Sequence, residues 1–257
     1  MNHDSSPVIC VTGSAKRIGA QIIRHMHSQG YRVIIHYHQS LDEAKKLAGE
    51  LNAERSDSAL LVQGDLNDPA TYSAIAAQIL SCFNRLDVLI HNASRFYPTK
   101  LSECSAADWD ALMHSNARAP LFLTQQLAFE LKARRGSVIS MLDIHSDDRP
   151  FKGYVIYNMA KAAHRMMVQS LSLDLAPEIR VNGVAPGANI WPDDDSDQAI
   201  DDPKKQRIAS NIPLQSIGEP QDIAQAVDYL IRARYVTGHI IKVDGGRSLT
   251  LPGDDPA

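Results

Sequence analysis

Residues 154–161 read YVIYNMAK, and within them Tyr157 and Lys161 stand four positions apart. On a helix that spacing puts both side chains on one face, one above the other. A phenol with an ordinary pKa of about 10 is a poor acid or base near neutrality. A neighbouring ammonium favours the phenolate, so the spacing predicts a Tyr157 pKa lowered by Lys161. Such a pair suits proton donation while a hydride adds to an unsaturated carbon, and Lys161 is also placed to hold a nicotinamide ribose.

Hydride chemistry needs a nucleotide cofactor, and residues 12–19, TGSAKRIG, offer a place for one. They follow the apolar run Val8 to Val11 and lead into a helical pattern, the strand–turn–helix context that grips a nucleotide phosphate. Gly13 and Gly19 bracket the turn, with Arg17 and Ile18 between them. A unit that binds NAD ends its second strand with an acid that accepts the ribose hydroxyls. Here that site reads His36-Tyr37-His38-Gln39-Ser40, with no carboxylate. An acid would repel a 2′-phosphate, whereas a guanidinium, imidazole donors and a serine hydroxyl would hold it. Arg17 and the missing acid therefore agree on NADPH. Asp65-Leu66 after the third strand offers a carboxylate to the adenine amino group, and Asn92-Ala93-Ser94 after the fourth puts small residues beside the cofactor. His36 and His38 share one strand face and resemble half a metal site, but no third ligand is evident, so no metal is expected.

The elements that must position these residues alternate along the chain. Apolar runs at 8–11, 32–37, 58–63, 86–92, 136–142, 179–185 and 239–243 are separated by helical patterns near 18–29, 41–54, 69–84, 106–134, 155–176 and 220–232. Strands this apolar suit burial on both faces. The alternation predicts an α/β fold: a seven-stranded, doubly wound parallel sheet in a single domain spanning 1–257. Residues 191–213 break the rhythm with six aspartates and little periodicity. A long insertion at the carboxyl edge of the sheet is expected to be a substrate lid.

With these pieces together, the chain resembles the short-chain dehydrogenase/reductase family from Thr12 to the VDGG at 243–246. Gly13 and Gly19 match the first and last glycines of that family's turn, Arg17 replacing its central one. The resemblance implies a Rossmann fold, a role for Asn116 in ordering a proton-relay water, nicotinamide contacts from Pro186 and Gly187, and a homotetramer packed through the helices near 106–134 and 155–176. The family's catalytic serine is absent: upstream of Tyr157 the chain reads Met141-Leu142-Asp143, with Ser146 farther along. An aspartate there is similar to the pteridine reductases. So are TGSAKRIG with its arginine, HYH with Ser40, NASRFYPT at 92–99, and GYVIYNMAK at 153–161.

The subfamily resemblance implies NADPH-dependent reduction of a dihydropterin. Asp143 would manage protons at a ring nitrogen while Tyr157 and Lys161 serve the other side. Phe96 would stack on the flat ring, with Tyr154 as a second wall and Arg17, Ser94 and Trp191 framing the substrate. His91, Gln39 and the bulk of Trp191 depart from the subfamily, and HNAS also occurs in dihydromonapterin reductases. Two other readings stand: a carbonyl or 3-ketoacyl reductase of the same fold, and an NADPH-binding sensor without catalysis.

The bulk numbers fit a small-molecule enzyme. The 257 residues, 44% hydrophobic, suffice for one substantial core. A net charge of −4 gives no basic surface for nucleic acid. No apolar run approaches the roughly 20 residues of a membrane span. Three widely spaced cysteines and a first strand close to Met1 lead to the expectation of a reducing, cytoplasmic setting.

Overall fold

The computed structural model describes residues 5–147, 149–191 and 201–250. Seven strands, β1 (Val8–Val11), β2 (Arg32–Tyr37), β3 (Ala59–Gln63), β4 (Val88–His91), β5 (Ser137–Met141), β6 (Arg180–Pro186) and β7 (Ile240–Val243), form one sheet in the order β3-β2-β1-β4-β5-β6-β7. All six pairings are parallel. The order reverses between β1 and β4, where Val11 lies level with Ile35 on one side and Ile90 on the other. Ligands of doubly wound sheets sit outside the strand carboxyl ends at such a reversal.

Alternate residues of each strand feed two cores. Ile9 and Val11 point to the face covered by α1 (Arg17–Ser28), α2 (Leu41–Glu54) and α8 (Pro220–Arg232). Val8 and Cys10 point to the face covered by α3 (Tyr72–Phe83), α5 (Ala119–Ala133) and α6 (Val155–Asp174). Helices on both faces explain why β1, β4 and β5 are buried along their whole length.

Two elements differ from the sequence expectation. The stretch 106–134 is not one helix: α4 (Ala106–Met113) runs into a π-helical turn at His114–Arg118, and only then into α5. Within 191–213, residues Asp202–Ser210 form a helix, α7, started by Asp201, whose carboxylate accepts from Lys204 N at 2.9 Å, and by Pro203 in its first turn. The remainder of the expected lid, residues 192–200, lies outside the described residues. Among the described residues no helix is long and apolar enough to cross a membrane.

Candidate active site

The turn between β1 and α1 is built for close approach. Gly13 has φ +59°, and a Cβ there would stand 2.9 Å from Ala93 Cα. At Gly19 a Cβ would meet Asn92 Nδ2 at 2.6 Å and Ser14 Cα at 2.7 Å. Arg17, in the glycine position of the turn, keeps the glycine conformation with φ 55°. A left-handed arginine is strained by roughly 1–2 kcal/mol, the kind of cost retained where the side chain serves a site. The N-cap residue of α1, Lys16, makes no side-chain cap, so the first-turn N–H groups point outward for an anion. Thr12 Oγ1 accepts from Asn92 N and Ala93 N at 3.0 and 3.1 Å, and Asn92 Nδ2 donates to Gly13 O at 2.9 Å. The cradle without Cβ atoms fits a dinucleotide pyrophosphate.

The end of β2 sorts its residues differently from the sequence reading. His36 is 2% exposed, and its Nδ1 accepts from Gly13 N at 3.1 Å. Burial pushes its pKa down to about 4, with His38 adding to the effect, so His36 is neutral and braces the turn from beneath. It is not the exposed phosphate donor expected, because a strand covered on both faces hides alternate residues on either side. Tyr37 packs into the core beside α1 and α2, and Leu66 into the other core. His38 stays accessible, its Nε2 3.7 Å from Asp65 Oδ2, and Ser40 precedes α2. Lys16, which the sequence reading passed over, reaches the same corner, with its Nζ 2.5 Å from Glu43 Oε1. Its place beside Arg17 in a phosphate turn was the available signal.

On the other side of the reversal point stand Tyr157, Lys161 and Asp143. Tyr157 and Lys161 share the buried face of α6, at 4% and 3% exposure. Tyr157 OH donates to Asp143 Oδ2 at 2.8 Å, while Lys161 Nζ donates to Met141 O at 3.0 Å and lies 5.8 Å from the Tyr157 ring centre. The expected lowering of the Tyr157 pKa is reversed. Burial, then the Asp143 carboxylate, hold it well above 10, so the group is a phenol with a proton to give. Burial brings Lys161 down to about 8, against the opposing pull of Asp143.

Asp143 is fixed by its own loop. Its Oδ1 accepts from His145 N at 2.9 Å, and its carbonyl accepts from Ser146 Oγ at 2.6 Å. Ser146 is buried and committed to that bond, which removes it as a stand-in for a catalytic serine. Asn116 sits inside the π-turn with no exposed surface. Its Nδ2 donates to Leu112 O and Arg95 O at 3.0 and 2.9 Å, and its Oδ1 accepts from Ser94 Oγ at 2.6 Å. The π-turn thus ties the loop after β4 to the helix pair, and such turns recur at functional sites.

That loop carries Phe96 across the site, where its ring stacks on Tyr154 at 4.7 Å and meets Tyr157 edge-on at 4.8 Å. Thr99 secures it, N donating to Gly153 O at 2.7 Å and Oγ1 accepting from Ile156 N at 3.2 Å. Phe151, 5.7 Å from Phe96, and His145, 3.5 Å from Phe151, extend the aromatic wall. Neither was picked out in the sequence, because the loop between Asp143 and α6 has no period to read. At the end of β6, Pro186 and Gly187 lead to Trp191, whose carbonyl accepts from Arg17 Nη2 at 3.2 Å. Among the described residues no group of three or more His, Cys, Asp or Glu side chains is arranged to hold a metal ion.

A reversed parallel sheet with a glycine turn at its switch point, and a Tyr-x-x-x-Lys helix beside it, define a nicotinamide-dependent oxidoreductase. The chain belongs to the short-chain dehydrogenase/reductase family: residues 13–248 match a family model described as enoyl-(acyl carrier protein) reductase. It is 38% identical to pteridine reductase 1 of Leishmania tarentolae, over 96% of this chain and 98% of that protein. It is 30% identical to a putative ketoacyl reductase of the granaticin polyketide synthase of Streptomyces violaceoruber, over 95% and 97% of the two chains. It is also 30% identical to the 3-oxoacyl-acyl-carrier-protein reductase of Staphylococcus aureus, over 92% and 96%.

Proposed function

We propose that the protein is an NADPH-dependent pteridine reductase acting on dihydropterins. One observation carries the reading: Asp143 stands where a carbonyl reductase of this family would use serine, and its carboxylate takes the Tyr157 hydroxyl at 2.8 Å. A serine hydroxyl polarises a ketone, whereas a carboxylate beside a protonated phenol suits protonation of a ring nitrogen. The aromatic wall of Phe96 and Tyr154 suits a planar ring. The 38% identity to a pteridine reductase points the same way. For the cofactor, Arg17 at the start of α1, with His38 and Ser40 just after β2 and no acid in 36–40, favours the 2′-phosphate of NADPH over NADH.

When bound, the reduced nicotinamide supplies a hydride. The chain's own residues manage the proton: Tyr157 OH, kept protonated by burial and by Asp143, donates it at the reacting edge of the ring. Lys161, protonated below about pH 8, sustains the positive potential behind the phenol. Phe96 fixes the plane of the substrate, which lowers the entropic part of the barrier. The exposed Phe129, Met166 and Leu173 on α5 and α6 support assembly as a homotetramer. The free cysteines Cys10, Cys82 and Cys104 suit a cytoplasmic setting.

The test is NADPH consumption with dihydrobiopterin and dihydromonapterin in parallel. Turnover of either, abolished in Tyr157→Phe, is the expected result. Binding of NADPH with no turnover of any pterin would overturn the proposal.

A further inference from the structure

A polar cluster is buried beneath the Tyr157–Lys161 pair, where α5 and α6 cover the sheet. His164 stands one turn beyond Lys161 on the same buried face of α6, the two at 2% and 3% exposure. They bind neighbouring residues of β5: Lys161 Nζ donates to Met141 O at 3.0 Å, and His164 Nε2 meets Ser140 Oγ at 2.9 Å. His91 of β4 closes the cluster, its ring centre 6.1 Å from that of His164 and its Nε2 2.8 Å from Thr124 Oγ1 on α5. Ser140, His91 and Thr124 are buried as well.

Within this cluster His164 Nδ1 is buried and has no hydrogen-bond partner. Burial, then the charge of Lys161 and the presence of His91, hold the His164 ring neutral. The π-turn packs against α6, and the Asn116 carbonyl comes near enough to favour a charged ring without making a hydrogen bond to Nδ1. That carbonyl also lacks its α-helical donor, because residue 120 is proline. Lys161 carries three N–H donors; Met141 O takes one, and the cofactor ribose is the expected acceptor for another. A ring nitrogen, a carbonyl and an ammonium on two packed elements thus each have a bond left to make. A buried water meets such a set, since it typically makes about three hydrogen bonds to otherwise unsatisfied groups.

We propose that His164 is a positioning residue that acts through Lys161: its Nδ1 accepts from a buried water that also donates to the Asn116 carbonyl and accepts from the Lys161 ammonium. His164 then carries its proton on Nε2 and donates it to Ser140 Oγ. The arrangement favours the charged form of Lys161, so without it the lysine loses its proton at lower pH. This rests on the reading of Tyr157 as proton donor with Lys161 behind it, and not on which substrate is reduced.

The experiment follows dihydrobiopterin turnover with NADPH from pH 6 to 9 in wild type, His164→Gln and His164→Asn, with melting temperature and NADPH affinity measured alongside. Glutamine puts an amide near the Nε2 position and keeps the Ser140 bond, whereas asparagine puts one near Nδ1 and keeps the water. His164→Gln is expected to lower the alkaline limb by about one pH unit from about 8, so that turnover falls at least about fivefold more at pH 8.5 than at pH 6. In His164→Asn the limb is expected to stay within about 0.3 unit of wild type. Asp143, Tyr157 and His91 also lie around Lys161 and His164. Tyr157 is held well above 10 and His91 down to about 3, so neither changes charge in this range, and Asp143 is common to all three proteins. Should His164→Gln fail to fold, nitrogen NMR of histidine-labelled wild type reads the tautomer directly. A proton on Nε2 is expected; a proton on Nδ1 would mean direct donation to Asn116 and would overturn the inference. Limbs that coincide in all three proteins, or losses equal at every pH, would also overturn it while leaving Tyr157 as donor. A Tyr157→Phe variant with wild-type turnover would instead overturn the donor reading, and the inference with it.

Discussion

Removing a single oxygen, in Tyr157→Phe, separates catalysis from stability. The lost group is a hydroxyl on a residue 4% exposed, donating to Asp143 Oδ2 at 2.8 Å. A hydrogen bond to a carboxylate is worth roughly 1.5–3 kcal/mol. Asp143 is half-buried and keeps His145 N on its other oxygen, so water can reach Oδ2 and offset part of that. A stability loss of about 1–2 kcal/mol follows, or roughly 2–8 °C in melting temperature for a chain of this size. Lys161 remains on the Met141 carbonyl, so NADPH affinity is expected to hold within about twofold. Turnover loses its proton donor, which is typically worth 10²–10⁴ in rate, or about 2.7–5.4 kcal/mol of barrier. The assay is steady-state NADPH oxidation with a saturating dihydropterin, beside thermal melting and NADPH titration of the same preparation. A kcat within tenfold of wild type would refute the assignment of Tyr157 as donor. So would a loss of activity matching the loss of folded protein.

Other perturbations follow from the same geometry. Turnover should fall as pH rises through about 8, because Lys161 then loses the charge that supports the phenol; an alkaline limb above pH 10 would contradict this. Stability should fall as pH drops below 6.5. His36 and His91 are buried and neutral, with pKa values held down to about 4 and about 3 by desolvation, so the unfolded chain takes up protons first. From pH 6.5 to 4 the linkage amounts to roughly 3 kcal/mol for each, and urea unfolding across that range measures it; a flat profile would refute it. Gly19→Ala should raise the NADPH dissociation constant at least about tenfold and cost about 1–3 kcal/mol of stability, since its Cβ would sit 2.6 Å from Asn92 Nδ2. Arg17→Gly should change stability by less than about 1 kcal/mol, relief at φ 55° offsetting glycine's entropy. The ratio of NADPH to NADH affinity should nonetheless drop at least about tenfold, and an unchanged ratio would remove Arg17 from phosphate recognition.

The parts of this molecule legible in its sequence are those set by local periodicity. Apolar runs such as VICV and VLIH fall within a residue or two of the strands, because burial on both faces leaves no room for polar positions. The Tyr157–Lys161 spacing read correctly as one helix face. What the spacing could not reveal was Asp143 arriving from another element, which reversed the expected shift of the tyrosine. The π-turn at 114–118 was invisible because one extra residue in a turn leaves the apolar pattern of α4 and α5 intact. His36 was misjudged for a tertiary reason: alternation assigns residues to faces, not to solvent.

The central claim is that the Asp143–Tyr157 pair commits the site to pterins rather than ketones. It is tested most directly by the ratio of kcat/KM for dihydrobiopterin to that for a β-ketoacyl thioester, in wild type and in Asp143→Ser. The account predicts a ratio well above one in the wild type and a fall of at least about a hundredfold in the variant. A wild type that reduces only the thioester, or a ratio unmoved by Asp143→Ser, would contradict it.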